Sequence, residues 1–169
     1  MLYHLAPSDL CGERLHPLND LRHLHPDIYA AEVRKYSGRE HVLERRIPLL
    51  GDCQWVDVIF LTPVSPTQQR ELYRQAELPP APSFRSFVID VDVLDPSRLA
   101  AMVWRNEGWK FVPFDAGLLV VEPEQLLPAL EYYRNCREEG TRPLRFQRLP
   151  HILYRGSIDV STAPFADVE

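Results

Sequence analysis

Residues 35–48, KYSGREHVLERRIP, gather three arginines, a histidine and two glutamates behind a serine. Ser37 and Glu40 have the S-x-x-E spacing of a capping box, in which the hydroxyl accepts a first-turn amide and the glutamate reaches back. That spacing predicts a helix over about 38–47, stopped by Pro48, with His41 and Arg45 on one face. A capped helix start beside Arg39 suits a phosphate, because its free amides point outward. The same residues also make the wet face of an ordinary helix, with Glu40 filling the first turn.

Two other groupings bear on chemistry. Asp90 and Asp92, in IDVDVLD, project from the same face of an extended strand and there can hold Mg²⁺ or Ca²⁺ through oxygen, as a metal-dependent hydrolase would. The alternative is a solvent face, with Asp95 capping the next turn. His16, His23 and His25 can share a metal only in an extended segment, and REHVLERR lacks the second histidine of HExxH, so no metal site is expected. Seven glycines leave little material for phosphate-cradling loops, and no GxxxxGK[ST], GxGxxG or GxSxG occurs.

The elements that must position these groups belong to one globular domain, 1–169, long enough to build a core without staples. A net charge of −5 excludes broad nucleic-acid binding, which needs a basic footprint. Seventeen of the 19 basic residues are arginine and they are scattered, a pattern that fits either an anion site or GC-rich codon usage. Cys11, Cys53 and Cys136 form no CxxC and suit a reducing cytoplasm. The start MLYHLAPSDL is not a signal peptide, and no apolar run approaches the ~20 residues that span a bilayer. The expectation is a cytoplasmic protein with no membrane segment.

LYHL reads as a first strand and HPDIYAAEVRKYSG as a helix with Pro26 in its first turn. CQWVDVIFLTPV is a strand rich in β-branched and aromatic residues. SPTQQRELYRQAEL carries Ser65 as cap, Pro66 at the first helical position and Gln68 in the box position. After the proline-rich loop ELPPAPS, FRSFVIDVDVL reads as a strand and DPSRLAAMV as a short helical turn. WKFVPF and LLVVEP, divided by DAG, suggest a hairpin. EPEQLLPALEYYRNCREEG is a long helix stopped by Gly140, and Pro128 either kinks it or lies in the first turn of a helix starting near Leu126. HILYRGSIDVS closes the chain as a strand bent at Gly156. The fold class is α+β, with mixed, largely antiparallel sheets and three to four helices.

The Tyr-His pair of LYHL, followed by a glycine-bearing loop and ERLHPL, resembles the opening of the ADP-ribosyltransferase-like fold. VDVIFLTPVSP is similar to the strand-then-proline segment of some members. FVIDVDVLDPSRLA with LPHILYRGSIDV resembles the closing half of a small bacterial family placed near that fold. The resemblance implies a cleft split between two small sheets, with NAD or ADP as ligand. It implies His4 donating to a ribose hydroxyl or phosphate, Arg39 or Arg155 neutralising the diphosphate, and Tyr3 or Trp55 flanking a ring. The glutamate of the H-Y-E pattern has no counterpart: the final strand carries Asp159, and the only glutamate beyond it is Glu169. A degenerate, nucleotide-binding relative is therefore one expectation. The other is a non-enzymatic module whose ELPPAPS loop or Arg/Glu helix meets a protein partner.

Overall fold

The computed structural model describes residues 1–168 apart from 9, 11, 81, 82 and 107; Cys11, Glu169 and part of the ELPPAPS loop thus lie outside the described residues. Its strands are β1 (Leu2–Leu5), β2 (Arg14–Leu15), β3 (Val58–Leu61), β4 (Phe84–Ile89), β5 (Leu99–Arg105), β6 (Gly108–Pro113), β7 (His151–Arg155), β8 (Ile158–Asp159) and β9 (Phe165–Val168). The helices are α1 (Leu18–Leu24), α2 (Pro26–Arg34), α3 (Pro66–Gln75) and α4 (Pro123–Glu139). The fold is α+β, with one sheet ordered β1-β4-β9, a second β3-β7-β5-β6, and a small β2-β8 pair. Every named pairing is antiparallel.

An isolated bridge hydrogen-bonds the two larger sheets to each other. Tyr3 on β1 donates its amide to the Thr62 carbonyl at 2.8 Å, and the Thr62 amide returns the bond at 3.0 Å. Each face of the four-stranded sheet buries a different partner, because successive side chains alternate. Ile59, Leu61, Ile152 and Ala101 pack against Leu2, Phe87 and Ile89 of the three-stranded sheet. On the other face, Val58, Leu153, Ala100 and Met102 are covered by Ile47, Leu50 and Cys53. A third cluster joins α3 to α4 through Leu72, Tyr73, Leu130 and Tyr133.

Local signals set several boundaries. At the start of α3, Ser65 Oγ accepts from the Gln68 amide at 3.2 Å while Gln68 Oε1 accepts from the Ser65 amide at 2.9 Å. Gly140 ends α4 with φ +65°, the left-handed geometry that favours glycine. Pro128 lies inside α4, which starts at Pro123, so the reading of a helix beginning near Leu126 is corrected.

Four other readings are overturned. Residues 38–47 are not a helix: only Glu40–Val42 make a 3₁₀ turn, and Glu40 Oε1 accepts from the Gly38 amide at 2.9 Å instead of completing a box with Ser37. The following residues are drawn into extended pairing, with Trp55 N bonded to Arg45 O and Ile47 N to Cys53 O. Leu99–Val103 form a buried strand, not a helical turn; the 3₁₀ turn is confined to Pro96–Arg98. The hairpin consequently joins β5 to β6, and Ala116–Leu119 form a 3₁₀ turn. Finally, β4 ends at Ile89, so Asp90 and Asp92 share no strand face; Asp90 Oδ1 accepts from the Asp92 amide at 3.1 Å.

Candidate functional site

Where β7 ends, a polar cavity of about 380 Å³ is lined by Pro17, Asp20, Asp57, Arg98, Arg155 and Gly156. Four segments distant in sequence build it. Arg155, the last residue of β7, stands opposite Val58 and donates from Nη1 to the Leu50 carbonyl at 3.1 Å. Arg98 closes the 3₁₀ turn Pro96–Arg98, whose first amides are met by Asp95: its Oδ1 accepts from Ser97 N at 2.9 Å. The Arg98 Nε lies 3.5 Å from Asp95 Oδ2. Hydrogen bonds from Ser97, aided by the Arg98 charge, hold the Asp95 carboxyl below the usual carboxylate range. Each guanidinium is thus fastened on one side by its own wall, and other N–H groups remain for a guest.

The acidic wall is equally fixed. Asp57 ends the 3₁₀ turn Trp55–Asp57; its Oδ2 accepts from Gln54 N at 2.8 Å and its Oδ1 from Asn19 Nδ2 at 2.9 Å. Asp20 comes from α1, where it lies in the first turn. Two guanidiniums can take an oxyanion bidentately, while oriented carboxylates accept from hydroxyl or ammonium groups. Behind the wall, burial and the Asp57 charge push the Cys53 thiol up to about 11. A thiol at that value stays protonated near neutrality and is no nucleophile.

Of the five residues expected at a nucleotide site, Arg155 lines this cavity and Tyr3, His4, Arg39 and Trp55 do not. His4 Nδ1 donates to the Phe60 carbonyl at 2.9 Å. Burial lowers its pKa, opposed by that same bond, so the neutral ring keeps only Nε2, an acceptor. Its expected role as a donor to ribose or phosphate does not suit that tautomer. Tyr3, its neighbour on β1, faces the other way. Arg39 is exposed and donates to the Lys35 carbonyl at 3.2 Å, with its guanidinium 6.0 Å from the Tyr36 ring centre. Trp55 donates to Tyr36 Oη at 3.3 Å and stacks obliquely on Phe60, ring centres 4.4 Å apart. Arg39, Tyr36, Trp55 and Phe60 therefore form a chain of contacts on the sheet's covered face, separate from the cavity lining.

Sequence reasoning missed Arg98, Asp57 and Asp20. The only available signal was the break at Gly156, whose φ of +122° marks the point where β7 gives way to β8. Among the described residues, no cluster of three or more His, Cys, Asp or Glu side chains is placed to hold a metal ion, and no helix is long and apolar enough to cross a membrane. A second cavity, about 400 Å³ and mostly apolar, runs between α3 and α4 past Leu72, Leu126, Leu127 and Leu130. The chain matches no protein-family model, and neither a curated protein nor a solved structure matches it.

Proposed function

We propose that the cavity at the end of β7 binds an adenine nucleotide, ADP or the ADP half of NAD. The observation that carries the reading is the convergence of two arginines, anchored on separate walls, beside a carboxylate whose two oxygens are already oriented. In this reading Arg98 and Arg155 take the phosphates and Asp57 accepts from ribose hydroxyls. The protein acts as a binder, a degenerate ADP-ribosyltransferase-like protein. Asp159, on β8 rather than the final strand and standing where the resemblance would want a glutamate, is occupied locally: its Oδ1 accepts from the Ser161 amide at 3.0 Å and from Ser161 Oγ at 2.6 Å, and Arg14 lies 3.8 Å from its Oδ2.

Isothermal titration of ADP and NAD into the wild-type, Arg98→Ala and Arg155→Ala proteins tests this. Loss of one charge-assisted contact weakens binding by about tenfold or more. Absence of binding to the wild-type protein, or equal binding by all three, refutes the reading. A second reading, a protein-binding module without nucleotide, is favoured by the α3–α4 groove, where Leu127 is 57% exposed. It predicts no response to any nucleotide and a partner released by Leu127→Glu.

A further inference from the structure

Gly156 lies next to Arg155 and beneath Arg98. A Cβ built on it falls 3.1 Å from Arg98 Nη1, tighter than a side chain ordinarily tolerates, and its φ is +122°. Arg98 therefore crosses the break between β7 and β8 so close to Gly156 that a side chain there would displace its guanidinium by a few tenths of an ångström. On the other wall Arg155 Nη1 lies 3.7 Å from where a Cβ on Gly51 would stand, an ordinary contact distance, so the tight approach is confined to Arg98 and Gly156.

We propose that Gly156 is the positioning residue of an oxyanion clamp formed by Arg98 and Arg155, and that the clamp's ligand class is a diphosphate. This rests on the reading of the cavity as a phosphate site. A guanidinium fixed on each wall offers two anchored points of contact. A diphosphate presents two charged groups to match them, whereas a monophosphate presents one. A side chain at 156 shifts Arg98 by a few tenths of an ångström from its place and so weakens binding without touching the ligand itself.

The test uses inorganic pyrophosphate and inorganic phosphate as probes, titrated into wild type, Gly156→Ala, Arg98→Ala and the double variant. Expected are tighter binding of pyrophosphate than of phosphate, a loss of about tenfold in pyrophosphate affinity in each single variant, and a double variant no weaker than Arg98→Ala alone. A further loss in the double variant, equal to that seen in the presence of Arg98, overturns the proposal, because Gly156 then acts through the fold. So does wild-type affinity in Gly156→Ala, or equal affinity for the two probes. Pyrophosphate binding without ADP or NAD binding defeats the nucleotide reading and leaves the clamp standing; binding of neither defeats both. If Gly156→Ala does not fold, the wild-type protein carries the test by NMR. The Arg98 Nε–Hε signal, assigned by its loss in Arg98→Ala, and the Gly156 amide shift together as pyrophosphate is added. A shift of neither overturns the proposal.

Discussion

His151 gives the protein an acid sensitivity whose size follows from its surroundings. It is buried on β7, with its ring 5.4 Å from that of Trp109 and 6.1 Å from that of Phe60. Burial lowers its pKa from 6.5 to about 4, against the pull of the Phe146 and Leu61 backbone. The unfolded chain therefore takes up the proton first as pH falls. The stability that the neutral ring contributes is complete above 6.5 and is lost progressively down to about 4. At about 1.4 kcal/mol per pH unit, the full interval corresponds to roughly 3 kcal/mol, of which about 2 kcal/mol disappears between pH 7 and pH 5. His151→Gln keeps an N–H donor for a backbone carbonyl and cannot titrate. Urea unfolding of both proteins at pH 7, 6 and 5, followed by tryptophan fluorescence, isolates the effect, because the carboxylates and His4 are common to both. The stability difference between wild type and variant should shift by about 2 kcal/mol in the variant's favour from pH 7 to pH 5. A difference that stays constant across that range refutes the reasoning.

Other perturbations have definite expectations. Ser65→Ala removes one half of the α3 capping box and should lower unfolding free energy by about 1 kcal/mol in urea titration. Thr62 is buried, with Oγ1 donating to the Pro150 carbonyl at 2.9 Å and accepting from Val64 N at 3.2 Å; Thr62→Val should cost about 1–3 kcal/mol by the same assay. Leu153 is fully buried on β7, so Leu153→Ala should cost about 2–5 kcal/mol. A Cβ at Gly140 would meet nothing within 4 Å. Gly140→Ala should therefore cost only the left-handed backbone conformation, about 1 kcal/mol in thermal unfolding.

What could be read in the sequence was local. Ser65, Pro66 and Gln68 announce α3, and Gly140 ends α4, because these signals act within a few residues of themselves. Ser37 and Glu40 carry an equally good spacing, yet no helix follows. Burial of Ile47, Leu50 and Cys53 against the sheet holds 45–47 extended beside 53–55, and tertiary packing outweighs helix propensity. LAAMV misleads for the same reason: alanine and methionine favour helices, but here they fill a strand buried between β7 and β6. The cavity was legible only at Arg155 and in the kink at Gly156. Arg98, Asp57 and Asp20 are ordinary residues of a turn end, a turn and a surface helix. Only the pairing of β7 with β3 and β5 carries the first two to Arg155.

The placement of β7 also governs how the chain can be made. It sits between β3 and β5, although it follows both in sequence. On a ribosome, β3, β5 and β6 therefore emerge with a gap where the inner strand belongs, and both faces of the second sheet stay incomplete until residue 155 is clear. Until then the neighbours of β7 present unpaired edges and apolar side chains, the condition in which a nascent chain is most open to wrong partners. Assembly of this sheet is thus a late, concerted event, and a ribosome stalled shortly before His151 should display a protease-sensitive chain that becomes resistant once β7 has been released.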